Sequence, residues 1–109
     1  MKKLILVLVI VGMVSTVVFA QESFILRNDT GYTFLFVYVS DSRLNRWGDD
    51  LLGNQVLRSG ESLRIPANIP LASTTWDIRI IDQDGDTYTL MRRRLTNGQT
   101  IVITLADLD

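Results

Sequence analysis

The sequence predicts an all-β fold, a single antiparallel β-sandwich of about seven short strands, and three observations carry the prediction. Short runs of β-branched and aromatic residues recur, each ended by Gly, Asn, Asp or Pro. No stretch places apolar residues at helical spacing, beyond a single turn at Trp47 to Leu52. The turn signals fall at intervals that suit a sandwich or small barrel.

The chain opens on Met1-Lys2-Lys3, then runs from Leu4 to Val11 without a polar residue and reaches Val18-Phe19-Ala20. A basic start, an apolar stretch and small or medium residues at positions 18 and 20 predict a signal peptide over 1–20, cut before Gln21. An uncleaved anchor is the alternative, but the apolar segment sits at the lower length limit for a bilayer helix and carries Ser15 and Thr16. The expected location is therefore exported, periplasmic or secreted, with no stable membrane insertion after cleavage. Residues 21–109 form one small domain. Such a domain buries only about 60–65% of its unfolded surface, and with no Cys it has neither disulfides nor a lipid on cysteine. Once Lys2 and Lys3 leave with the leader, nine arginines face 12 acidic residues. That mildly acidic balance gives no reason to expect nucleic acid or anionic membrane.

The elements follow in order. Phe24 to Arg27 is a short apolar strand stopped by Asn28-Asp29-Thr30-Gly31, whose first three residues also match the N-glycosylation pattern. A turn is the preferred reading there. Thr33 to Val39 is the strongest β segment, with Phe34, Phe36 and Tyr38 on one face and Leu35, Val37 and Val39 on the other. A strand apolar on both faces needs a cover, and the Ser40–Asn54 loop with Trp47 as its lid is one. A subunit contact (a homodimer) or an apolar ligand is the other. Gln55 to Leu57 and Ser62 to Ile65 flank a turn at Ser59-Gly60, and Pro66 ends the second. Thr75 to Ile81 and Thr87 to Met91 form a hairpin, and Thr100 to Leu105 follows Asn97-Gly98 as the last strand. With Asp84-Gly85 as the hairpin turn, Asp77 faces Arg92, Ile81 faces Tyr88 and Ile78 faces Met91. Trp76, Ile78 and Ile80 then share the core face with Thr89 and Met91.

The candidate chemistry lies in the hairpin tip, Asp82-Gln83-Asp84-Gly85-Asp86. Asp82, Asp84 and Asp86 at alternate positions can serve a hard cation such as Ca2+, which takes six to eight oxygens. An EF-hand is excluded. Counted from Asp82, Gly85 comes two positions early and Arg93 stands where that loop needs its closing acid. A calcium site would need further oxygens, with Asp49 and Asp50 the best donors and Asp41 next. The competing reading is a plain turn, because Asp-Gly is a leading hairpin signal. The absence of His and Cys argues against zinc sites and leaves serine- or cysteine-nucleophile chemistry without its usual base. A carboxylate pair could work as in glycosidases, but so small a domain offers little cleft, and no enzyme is expected. Arg92-Arg93-Arg94 reads as a charged strand edge, with Arg92 paired to Asp77, or as a patch for an acidic partner or glycan. Arg92 and Arg94 would share one face of it.

Together, Asn28 to Gly31, Tyr38-Val39-Ser40, Trp47-Gly48-Asp49-Asp50-Leu51-Leu52-Gly53, Trp76 to Arg79 and Asp82 to Tyr88 resemble a family of small secreted bacterial β-sandwich proteins. Its signature is tryptophan-glycine-x-aspartate-leucine-leucine-glycine ahead of an acidic hairpin. The resemblance covers nearly all of residues 21–109. It implies a secreted β-sandwich and lends no established activity. A non-catalytic exported binding module is the expected function, with Ca2+ at the hairpin as a stabiliser and Trp47, Arg92 and Arg94 facing a protein or glycan partner. A structural or self-associating envelope protein is the alternative.

Overall fold

The protein is described by a computed structural model over residues 20–109, so the leader assigned to 1–20 lies almost wholly outside the described residues. Among these, six strands form in place of seven: β1 (Ser23–Asn28), β2 (Phe34–Asp41), β3 (Ser62–Pro66), β4 (Trp76–Asp82), β5 (Thr87–Arg93) and β6 (Thr100–Ile103). They make two three-stranded sheets, in the orders β3-β1-β6 and β2-β4-β5. The fold is all-β. Gln55 to Leu57 does not become a strand. Only Leu57 pairs, exchanging both backbone hydrogen bonds with Phe34 at 2.8 and 3.0 Å.

Pairing is antiparallel except between β1 and β6, which run parallel with Ile25 beside Thr100 and Asn28 beside Ile103. That pair departs from the wholly antiparallel expectation. Phe24, Leu26, Ile65 and Ile103 from one sheet and Phe34, Val37, Ile78, Ile80 and Tyr88 from the other join in one core. Alternate residues supply it, as a pleated strand requires. The last strand is shorter than expected. At Thr104 the chain turns into a 3₁₀ turn closed by a capping box with Asp107.

Two irregularities correct the expected faces. The hairpin loop has three residues, Gln83-Asp84-Gly85, with Gly85 at φ +78°. Gly85 donates to the Asp82 carbonyl at 3.0 Å, and Asp82 donates to that of Asp86 at 2.9 Å. A type I turn followed by a left-handed Gly moves the register by one residue relative to a two-residue turn. Ile78 therefore faces Leu90, and Ile80 faces Tyr88. Tyr88 and Leu90 are buried while Met91 is 52% exposed, the reversal that a one-residue slip produces. In β2 a bulge between Phe34 and Phe36 breaks the alternation. Phe34 and Val37 turn inward, and Phe36 is left 40% exposed, stacked on Tyr38 with ring centroids 6.4 Å apart.

Candidate functional site

The acidic hairpin is built around Asp82. This residue is 2% exposed, because the register points it inward beside Tyr88. One carboxylate oxygen accepts the backbone N–H groups of Asp84 (2.9 Å) and Asp86 (3.0 Å), and the other accepts the Tyr88 hydroxyl at 2.9 Å. Burial, reinforced by the hydrogen bond to Asp82, pushes the Tyr88 phenol up to about 12. Carboxylate oxygens of Asp82, Asp84 and Asp86 lie within 4.8 Å of one another, and the latter two side chains are exposed. Alternate spacing thus brings the three expected ligands together. It also gives one of them a structural task.

Asp49 and Asp50 are not part of that group. Asp50 clamps the free edge of β2: its carboxylate accepts the N–H groups of Val37 (2.9 Å), Leu52 (3.1 Å) and Gly53 (3.0 Å). Leu51 donates to the Val37 carbonyl at 2.8 Å. The Trp47–Gly53 loop therefore runs along the edge of β2 and occupies backbone groups that an open edge would expose. It does not cover the Phe36–Tyr38 face, so the expectation of Trp47 as lid over that face is corrected.

Trp47 instead lines a cleft of about 630 Å3 where the edges of β2 and β3 part. One wall is the Leu44–Leu51 loop with Trp47 and Asp49, and the other is Ile65 to Ile69, with Val39 and Trp76 at the base. Trp76 is fixed by its indole N–H donating to the Leu71 carbonyl at 2.9 Å. The loop is anchored by Asp41, which pairs with Arg43 at 2.7 Å, accepts the Arg43 N–H at 3.0 Å and accepts the Thr74 hydroxyl at 2.9 Å. The Arg43 guanidinium holds the Asp41 carboxyl well below the usual carboxylate range. Arg46, Asp49 and Asn68 are exposed at the rim of the cleft and Trp47 is half-buried. Sequence reasoning found Trp47 but not the opposite wall. A wall assembled by the turn after β3 leaves no periodic signal.

Asn28 answers the glycosylation pattern. It is fully buried, and its amide nitrogen donates to the carbonyls of Tyr32 (2.7 Å) and Leu57 (2.9 Å). Its side-chain oxygen accepts the N–H (3.1 Å) and hydroxyl (2.8 Å) of Thr30. The turn reading holds, and the folded chain presents no acceptor nitrogen. At the other end of the fold, Asp77 does not pair with the Arg92 guanidinium. Its carboxylate accepts the Arg92 backbone N–H at 2.9 Å and the Ser42 hydroxyl at 2.7 Å. The sole ion pair among the described residues is Arg43 with Asp41. Arg92, Arg93 and Arg94 are all exposed.

No protein-family profile and no curated protein matches the chain. A solved NMR structure of a protein from Eubacterium rectale is similar, at 18% identity and a TM-score of 0.61 over 81% of this chain and 84% of that one. The likeness is one of fold.

Proposed function

We propose that this chain is a non-catalytic, exported β-sandwich binding module whose ligand site is the cleft beside Trp47, and that its ligand is a short neutral glycan. The cleft carries the reading. Its volume of about 630 Å3 falls in the range of small-molecule sites, roughly 300–1,000 Å3. A tryptophan edged by exposed amide, carboxylate and guanidinium groups suits a molecule with flat apolar faces and a rim of hydroxyls. The basic, apolar leader supports export. In an NMR titration with chitotriose, cellotriose and maltotriose, at least one is expected to move the Trp47 indole cross-peak saturably. Trp47→Ala is expected to abolish the response of the neighbouring Gly48 and Asn68 amides. No saturable shift with any of the three would remove the neutral-glycan reading.

Calcium at Asp82, Asp84 and Asp86 belongs to this proposal as a stabiliser. Asp84 and Asp86 present open carboxylates, whereas Asp82 is largely committed to the loop. Affinity in the extracellular-module range, roughly 10⁻⁴–10⁻³ M, is therefore expected. At about 10 mM calcium, a site of about 1 mM stabilises the fold by about 1.4 kcal/mol. Chelator-stripped protein should melt several degrees higher in 10 mM calcium, and Asp84→Asn/Asp86→Asn should cancel the rise. An unchanged melting temperature discards the site.

A second reading is self-association, favoured by the stacked Phe36–Tyr38 pair on the outer face of the β2-β4-β5 sheet. On this reading the melting temperature rises with protein concentration, and Phe36→Ser removes the dependence. A concentration-independent transition and a monomeric mass by light scattering would exclude it.

A further inference from the structure

We propose that the notch between the end of β5 and the edge of β6 binds an oxyanion group of a ligand, a carboxylate or a phosphate, through Arg93 and Arg94. The notch lies on the edge of the fold opposite the Trp47 cleft and is independent of it. It measures about 280 Å3, with Arg93, Arg94, Gln99 and Thr100 around a floor that includes Leu90 and Leu95. Neither arginine has an ion-pair partner among the described residues. Two guanidinium groups, each with five donors in a planar fork, match the geometry of carboxylate and phosphate. The surrounding groups add donors. Gln99 has its side-chain oxygen committed to the Thr96 N–H at 3.0 Å, which leaves its amino group as the free end. The one acid at the rim, Asp107, is held in its capping box by the Thr104 N–H at 2.9 Å and pairs with neither arginine.

The backbone supplies an independent reason. Arg92 has φ +53°, a left-handed conformation that a non-glycine residue with a Cβ adopts only at a cost. The buried carboxylate of Asp77, itself fixed by the Ser42 hydroxyl, accepts the Arg92 N–H and holds it there. The resulting bulge changes the register of the hairpin, so that Arg93 rather than Arg92 stands opposite Trp76. That position lies on the core side at the mouth between the sheets, where the notch opens. Strained backbone held by buried polar groups is characteristic of positions that aim a side chain. Of the two arginines expected from sequence to face a partner, Arg94 lines this notch and Arg92 does not. The acidic balance of the domain argues against tracking a long polyanion. The fitting ligand carries single or sparse oxyanion groups, as a uronic-acid sugar or a phosphate ester does.

The test is an NMR titration of protein purified after expression of the full chain, followed through backbone amides and arginine Nε–H signals at low ionic strength. Trigalacturonate and inorganic phosphate are added separately, with maltotriose as the neutral control. Saturable shifts at Arg93, Arg94 and Thr100 are expected, with a dissociation constant on the order of 1 mM or tighter. Arg93→Gln/Arg94→Gln should weaken binding at least about tenfold, equal to about 1.4 kcal/mol. Arg94→Gln alone, outside the strand, should weaken it several-fold and keeps the test valid if the double variant does not fold. Arg92→Gly removes a neighbouring charge, suits the positive φ, and should leave affinity within about threefold. A response to trigalacturonate alone assigns the group to an acidic sugar, to phosphate alone a phosphate ester, and to both a shared oxyanion site. No saturable shift with either, an equal response to maltotriose, or Arg92→Gly weakening binding as much as the double variant would overturn the proposal.

Discussion

Asn28→Ala is expected to destabilise the protein by about 2–3 kcal/mol, a large share of what so small a domain can lose. The side chain makes four hydrogen bonds and is fully buried. Its backbone is equally committed: its N–H donates to Glu61 at 3.0 Å, and its carbonyl accepts Gly60 N–H at 2.6 Å. Asn28 thus ties the end of β1 to two separate turns, Thr30 to Tyr32 and Leu57 to Glu61. Truncation leaves the Thr30 N–H without its acceptor, and an orphaned buried group costs about 1–3 kcal/mol, whereas the Tyr32 carbonyl keeps the Thr30 hydroxyl as a donor at 3.2 Å. The Leu57 carbonyl keeps its bond to the Phe34 N–H at 2.8 Å and suffers less. A domain of this length has a total stability of roughly 5–13 kcal/mol at 0.05–0.15 kcal/mol per residue. Urea unfolding should show the midpoint falling with little change in slope. Asn28→Asp, which keeps both acceptor contacts and loses both donors, should be nearly as damaging. A loss under about 1 kcal/mol would mean that water replaces the amide in full.

The second large effect belongs to Asp82 and Tyr88, and it has a pH signature. Asp82→Ala releases two loop N–H groups and leaves the buried Tyr88 hydroxyl without its acceptor, at an expected cost of about 2–4 kcal/mol. Tyr88→Phe removes the hydroxyl while keeping the ring, which packs 5.4 Å from that of Phe34, and should cost about 1 kcal/mol. The phenol is raised from its ordinary value near 10 to about 12 in the fold. A group whose value is raised by folding stabilises the native state while protonated. Its contribution is therefore complete below about pH 10 and is lost as pH climbs through about 12, amounting to at most about 3 kcal/mol. Wild-type stability should fall across that window, and Tyr88→Phe should flatten this part of the profile. Equal slopes in the two proteins would show that the phenol stays protonated or is more open to water than its contacts indicate. Asp82→Asn separates two roles. It keeps an oxygen for the loop N–H groups, so it should fold, yet it weakens any calcium response.

Much of the β architecture was legible because it depends on composition and turn chemistry that survive without coordinates. Six of the seven expected strands and the hairpin tip fall where β-branched and aromatic runs meet Gly, Asn, Asp or Pro. The faces were less legible. A left-handed residue decides them twice in the hairpin, at Gly85 and at Arg92, and a bulge decides them at Phe34 to Phe36. Each inserts one residue, and a period of two turns that insertion into an exchange of inside for outside. Arg92 carries no local sign of its conformation, since the cause is the Asp77 carboxylate across the hairpin. The three hairpin aspartates could be grouped from their spacing alone. The Trp47 cleft could not, because its opposite wall comes from a segment about twenty residues away along the chain.

The parallel seating of β6 beside β1 has a consequence for the order in which the molecule comes into being. β1 is a central strand, flanked by β3 on one side and by β6 on the other. Its second neighbour lies some seventy residues further along, so the early chain cannot complete its own sheet. Contacts that close so long a loop form late and slowly. A chain emerging from its N-terminus therefore stays incomplete until residues 100–103 arrive. A protein threaded across a membrane as an extended chain would profit from that delay, folding only after the whole of it has passed.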